Sequence, residues 1–289
     1  MTNQPAALPL MMGLPDDQRI AVGPAPGGGL SYNFLGNARI GTHLAPPFKQ
    51  RLARVFFGPN VPILMPAPFR GSPIVNAVGD ADISAESLRL LIAYLEENPV
   101  ACFNHPAAVL GASRDGVAEK LAGIPGVLMP RTIRLRIAEP DDLVQAARAH
   151  DLRWPLIVRV AGSHRGQSTA KVDEPSQVRA ALHDMPWGGR GLYLTEYIEC
   201  RDADDRYRKM RLVLVGKDIF LRHLVIAEGW LVHVSDREPG HLQEEEAALR
   251  DFRPQLLPAI EERVAAIGDA LGLDYFGIDC NLRPDGDLL

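Results

Sequence analysis

Apolar and polar positions alternate most clearly over Leu156-Ile157-Val158-Arg159-Val160, which predicts a β-strand with one wet face and Arg159 on it. The loop that follows, Gly162-Ser163-His164-Arg165-Gly166-Gln167-Ser168-Thr169, is small and polar. Its glycines fall where backbone amides can approach an anion closely. Strand, cation and amide-rich loop together predict a lid over phosphate groups.

The same reading extends along the chain. Short buried strands are expected over 61–65 and 73–78, then a helix capped by Ser84 with Leu88, Leu90, Leu91 and Leu95 on it, and a strand at 100–103. Strand, helix and strand at this spacing imply a parallel sheet. Helices follow over 114–121, 141–150 and 175–182, with a strand at 132–137. Leu192 to Ile198 reads as a strand entering an acidic bend at Glu199 to Asp205. Residues 211–215 and 219–226 around Gly216-Lys217-Asp218 predict a hairpin, with a further strand at 230–234. A two-piece helix over 244–271 shows Ile260, Val264, Ile267 and Leu271 as its core stripe, and Tyr275 to Cys280 forms a last strand. The class is α/β, becoming α+β towards the C-terminus. The expected divisions are 1–103, 104–190 and 191–289. The run Gly23-Pro24-Ala25-Pro26-Gly27-Gly28-Gly29 lacks a Gly-Lys-Ser/Thr ending and is read as a turn.

A formal charge of −5 excludes a dedicated nucleic-acid binder, and no run is long enough to span a bilayer. The apolar stretch Ala6 to Met12 has no basic region before it, so it is not read as a signal peptide. Cys102, Cys200 and Cys280 are far apart and unclustered, which predicts reduced thiols, no zinc site and a cytoplasmic location. A homodimer remains open.

The order of these parts resembles the ATP-grasp superfamily, in particular its glutathione-synthetase-like branch, over roughly residues 60–289. Asn104-His105-Pro106 before Arg114-Asp115 is similar to the entry into the nucleotide-binding half. Arg159 and the loop from Gly162 are similar to its second basic contact and phosphate lid. Glu196-Tyr197-Ile198-Glu199 is similar to the hinge that offers backbone groups to adenine. Arg211, Arg222 and Asp279 fall where the superfamily places its phosphate- and substrate-facing arginines and its first magnesium carboxylate.

The resemblance implies an ATP-dependent carboxylate–amine ligase working through an acyl-phosphate on small-molecule substrates, an amino acid or peptide among them. Its cofactors would be ATP and Mg²⁺. The implied nucleotide contacts are Arg114, Arg159, Gly162, Ser163, Gly166, Glu196, Tyr197, Ile198, Glu199 and Asp204. Arg211 and Arg222 would act on the transferring group, and Asp279 would hold the metal with Asn281 assisting. Two departures stand out. Arginines replace the usual lysines at 114 and 159, and the superfamily's Glu-x-Asn strand would begin only at Leu288-Leu289. Both leave open a catalytically degenerate ATP-binding sensor or partner module. Arg159 as a plain surface strand residue, and His223 and His233 as strand polar groups, stay open as well. Ser163 is read as a loop hydroxyl, since Gly-x-Ser-x-Gly is absent.

Overall fold

Parallel pairing of short apolar strands organises the N-terminal part of this computed structural model, which describes residues 8–40, 44–164, 166–237 and 239–289. The chain divides into two compact units, one ending at Ser113 and the other starting at Arg114. In the first unit, β1 (Leu8–Gly13), β4 (Leu52–Phe57), β5 (Ile74–Asn76) and β6 (Cys102–Phe103) form a parallel sheet of order β4-β1-β5-β6. Helix α1 (Ala85–Glu97) joins β5 to β6 and buries Ser87, Leu88, Leu91 and Leu95, while Leu90, expected with them, turns to the exposed side because it sits off this 3.6-residue stripe. Leu10, Met11, Val55, Phe57 and Ile74 fill the sheet side of the core.

Several expectations change here. Residues 61–65 are not a strand; beyond a single bridge from Gly58 to Val61 they run as open backbone. The apolar stretch near the N-terminus is β1 itself, lying between β4 and β5. The glycine-rich run turns a two-stranded hairpin, β2 (Ala21–Pro24) with β3 (Leu30–Asn33), where Gly27, Gly28 and Gly29 all take positive φ. Asn104 belongs with this unit, because its carbonyl accepts from the buried Asn76 Nδ2 at 2.9 Å. The following helix α2 (Pro106–Leu110) packs against α1.

The second unit holds two antiparallel sheets. One has the order β7-β10-β8-β9, from Thr132–Leu135, Leu192–Glu196, Leu156–Val160 and Thr169–Val172. Its inner face, Val158, Val160, Val172, Leu192 and Leu194 among others, packs on α4 (Pro140–Ala149) and α5 (Val178–His183), after the opening helix α3 (Arg114–Leu121). Since β10 is an inner strand here, the expected 104–190 and 191–289 divisions share this sheet. The other sheet has the order β12-β11-β13, from Asp218–Ala227, Tyr207–Val215 and Tyr275–Cys280. Met210, Leu212, Leu224, Ile226 and Cys280 pack there against Ile260 and Val264. These last two belong to α7 (Leu257–Leu271), which follows α6 (Leu242–Asp251) through one wide helical turn at Phe252–Leu256.

Residues 230–234 do not pair as a strand; they form a loop running into a short helical turn at Val234–Asp236. Beyond β13 the backbone folds back, so that Asn281 and Leu289 exchange two 2.9 Å hydrogen bonds. The three cysteines are free, and burial pushes the Cys280 thiol up to about 12. No helix among the described residues is long and apolar enough to cross a membrane.

Ser84 precedes α1 but does not cap it. Its hydroxyl is buried without a hydrogen bond, while Asp16 Oδ1 accepts from Glu86 N at 3.0 Å and supplies the cap from a distant loop. Asp16→Ala is therefore expected to cost about 1 kcal/mol in urea unfolding, as helix caps do. Ser84→Ala should cost less than that, because no bond is lost; the reverse order would show that Asp16 is not the cap.

Candidate functional site

Alternation in the two sheets of the second unit leaves each with one apolar face on helices and one polar face. On the first sheet the register sets Arg159 opposite Tyr193 and Thr169, with Ile157 opposite Thr195 and Lys171. On the second it sets Arg211 opposite both His223 and Asp279, with Lys209 two residues before Arg211 on the same face. Both polar faces are rich in cations.

Tyr197 links them. It follows β10, its backbone N–H donating to Pro155 O at 2.9 Å. The Lys171 ammonium lies 4.3 Å from its ring centre, and Trp230 meets the ring edge-on at 6.0 Å. Its hydroxyl is 3.1 Å from Glu199 Oε1 and 3.4 Å from the Tyr207 hydroxyl of β11. Burial first, then the Tyr207 hydrogen bond and the Glu199 charge, push the Tyr197 phenol up, so it stays protonated. Tyr197, Trp230 and Lys171 thus make an aromatic and cationic wall at one end of both faces.

The predicted loop sits where the sequence puts it. Gly162 and Gly166 both take φ +72°, a region favouring glycine, and turn the chain between β8 and β9. The Arg159 guanidinium donates from Nε to Ser163 Oγ at 3.2 Å and from a terminal nitrogen to Ser163 O at 3.1 Å. Ser163 Oγ in turn donates to Val160 O at 2.6 Å, so the hydroxyl is a structural loop group. A Cβ on Gly166 would come within 3.2 Å of Leu231, which places the loop against the segment after β12.

The hinge residues divide by role. Glu196 is 5% exposed and turns inward, accepting from Arg153 N at 2.9 Å, which makes it a brace for the β8 entry. Glu199 accepts from Cys200 N and Arg201 N at 3.0 Å each, so its carboxylate caps its own turn. Burial raises its affinity for a proton, but the Arg201, Tyr197 and Tyr207 hydrogen bonds outweigh this and hold it below the usual carboxylate range. Asp204 pairs with Arg208 at 2.7 Å and is held at about 2 by that guanidinium. Asp202 and Glu244 meet the same guanidinium at 2.8 Å each, so the acidic bend is a locked structural network. Ile198, between Tyr197 and Glu199, is half-buried.

On the second sheet Arg211 pairs with Asp279 at 2.9 Å and lies across Gly277, where a Cβ would overlap the guanidinium. Arg222 does not share this row; the register slips between Arg211 and Leu212, and Arg222 is the exposed extra residue of that bulge. His223 is less basic than usual, chiefly through burial, with Arg222, Arg237 and Lys209 adding to it against Asp279. Asn281 is 7% exposed and donates from Nδ2 to Arg208 O at 3.0 Å, tying the end of β13 to β11. Arg114 stands exposed at the start of α3.

Lys171 and Lys209 escape a motif-based reading. Lys209 donates to Val232 O, two residues after Trp230, and Lys171 pairs with Asp173 at 3.1 Å. Counting by twos from Arg159's partner Thr169 and from Arg211 reaches both, so strand parity was the available signal.

The residues suit Mg²⁺ only in part. Among the described residues no group of three His, Cys, Asp or Glu side chains could hold a metal ion, and Asp279 stands on the polar face paired to Arg211. Magnesium keeps several waters and is met by one or two carboxylates plus substrate phosphates, so this donor set fits a cation carried by a phosphate ligand.

No protein-family model matches the chain, and no curated protein does. Solved structures do. Carboxyaminoimidazole ribonucleotide synthase from Aspergillus clavatus, complexed with ATP, is 13% identical at a TM-score of 0.52, covering 98% of this chain and 68% of that one. N5-carboxyaminoimidazole synthetase from Staphylococcus aureus, complexed with ADP, is likewise 13% identical at 0.52, covering 98% and 68%. An ATP-grasp RimK domain protein from Sphaerobacter thermophilus is 17% identical at 0.47, covering 83% and 80%. At these identities the likeness concerns architecture. The parallel N-terminal sheet, the β7-β10-β8-β9 sheet and the β12-β11-β13 sheet are those of the ATP-grasp fold.

Proposed function

We propose that the second unit binds ATP between its two polar sheet faces and uses it to join a carboxylate to an amine. The observation that carries this reading is the meeting of two cation-bearing faces at the Tyr197 wall, with a glycine loop rooted on Arg159 beside them. The base would lie against Tyr197, Trp230 and the Ile198 backbone. Arg159, the Gly162, Ser163 and Gly166 loop and Lys171 would neutralise phosphates, as fixed cations and amides do. Lys209 and Arg211 would face the transferring group from the other sheet, with Arg222 on the bulge beside them.

In this reading a substrate carboxylate oxygen attacks the terminal phosphorus and the bond to ADP breaks. The amine nitrogen then attacks the acyl carbon of the acyl-phosphate, phosphate leaves, and the ammonium proton is lost. Mg²⁺ bound to the phosphates would add charge neutralisation, with Asp279 as the protein carboxylate in reach of it. The chain's own work is placement and exclusion of water, the latter by the loop that leans on Leu231. Glu196, Glu199 and Asp204 support the hinge and the acidic bend through their fixed partners. A binding module without ligation is the second reading, favoured by the Arg211–Asp279 pair, which occupies the carboxylate that would meet the metal.

Product analysis separates them. ADP and phosphate released in step with a new amide, over a panel of acids and amines, supports ligation. Tight ATP binding with no turnover supports the module. Arg159→Met is expected to weaken binding of a non-hydrolysable ATP analogue by about 10- to 100-fold, the worth of charge-assisted hydrogen bonds; unchanged calorimetric affinity would remove Arg159 from the site. Asp279→Asn should abolish any tightening of that binding by Mg²⁺ while leaving the metal-free affinity the same or higher. Gly277→Ala pushes the Arg211 guanidinium aside at little cost in stability, and should lower turnover about tenfold or more with nucleotide binding retained. Normal turnover in Gly277→Ala would mean that Arg211 takes no part.

A further inference from the structure

The β2–β3 hairpin of the first unit carries an apolar face that is open to solvent. Its register sets Val22 opposite Tyr32 and Pro24 opposite Leu30, with Ala21 opposite Asn33 and Gly23 opposite Ser31. Positions two apart share a face, so Val22, Pro24, Leu30 and Tyr32 make an apolar side and the small or polar residues make the other. That is the pattern of an antiparallel sheet whose apolar side rests on a partner. Here Val22 is 55% exposed, Leu30 63% and Tyr32 60%. Among the described residues neither strand joins a third. A Cβ added at Gly23, Gly27, Gly28 or Gly29 would meet nothing within 4 Å, so the other side and the turn are open as well.

A two-stranded hairpin is marginally stable at best when alone in water, so a cover on the apolar side would stabilise this one. Charge narrows what the cover is. Residues 20–38 carry no charged side chain, in a chain of net charge −5. Two copies of such a chain repel where their charges face each other, and an uncharged surface lets them meet without that opposition. A strongly acidic or basic partner would find nothing on the hairpin to pair with. Area points the same way. Apolar side chains continue past β3, where Phe34 stacks on Phe56 of β4 with ring centres 4.7 Å apart, and Leu35 and Phe56 stay exposed. Together with the hairpin face they expose on the order of 500 Å² of apolar surface per copy. A standard interface takes about 800 Å² from each partner, somewhat more than half of it apolar, and the two figures agree.

We infer that the apolar face of the β2–β3 hairpin is the contact between two copies of this chain, hairpin against hairpin across a two-fold axis. A two-fold contact uses one patch twice, so the patch must be complementary to itself. A neutral face with one aromatic ring among aliphatic side chains meets that condition. Tyr32 is its anchor, because the ring brings the largest apolar area of the face and its hydroxyl suits a wet rim.

Sedimentation equilibrium of the full chain across the micromolar range tests this on wild type, on Tyr32→Ser, and on two charged double variants. One double variant carries Leu30→Lys with Tyr32→Lys, the other Leu30→Glu with Tyr32→Glu. The wild type should be a dimer, and Tyr32→Ser should weaken association about tenfold or more. Each double variant should be a monomer alone, and mixing the two should restore a dimer through opposite charges. Both positions are exposed, so far-UV circular dichroism should match wild type in every variant. A wild type that stays monomeric overturns the inference; a lowered melting temperature in the double variants would then show the face covered within its own chain. A dimer that both double variants leave intact also overturns it, since another surface makes the contact. So does a dimer lost in both and not regained on mixing, since the hairpin would then meet a different surface of the partner.

Discussion

Burial of every second side chain along β8, β10 and β11 is the constraint on which the second unit depends. Val158, Val160, Leu192 and Leu194 must face one set of helices, and Met210, Leu212 and Leu214 the other. Period-two geometry then forces Arg159, Lys209 and Arg211 onto the opposite faces. A one-residue slip would bury guanidinium groups among leucines, at a cost no pairing here could offset. The cations are therefore held by the same register that holds the core.

The rest of the site is a set of braces around that pattern. Glu196 fixes the backbone entering β8, Glu199 fixes the turn after the hinge, and Arg208 gathers Asp202, Asp204 and Glu244. These carboxylates are spent on structure, which leaves the polar faces with a surplus of positive charge despite a net negative chain. Asp279 is the carboxylate of the β11–β12–β13 row, and its partner is Arg211. A phosphate-borne cation and the arginine would thus draw on the same oxygens, so nucleotide and metal are expected to act on this pair together.

Much of this was legible in the residues. Alternation revealed β8 with Arg159 on its polar side, glycine placement revealed the loop between β8 and β9, and the Gly216 turn revealed the β11–β12 hairpin. Elements held by distant partners were harder. Leu8–Gly13 was not read as a strand because its pairing with β4 lies some forty residues away. The Ser84 cap failed because Asp16, far upstream, supplies the bond instead. Glu199 and Asp204 were expected among the nucleotide contacts, yet short-range hydrogen bonds around the bend engage their carboxylates. Arg222 stands outside the Arg211 row because alternation cannot foresee a bulge, and Lys171 and Lys209 were passed over because no motif surrounds them.

Hydrogen–deuterium exchange of the full chain, with and without a non-hydrolysable ATP analogue and Mg²⁺, tests the central claim most directly. The account predicts new protection confined to the second unit, at residues 162–168 of the lid and 197–199 of the hinge. Nucleotide binding that protects only the first unit, or no protection in either segment at saturating analogue, would contradict it.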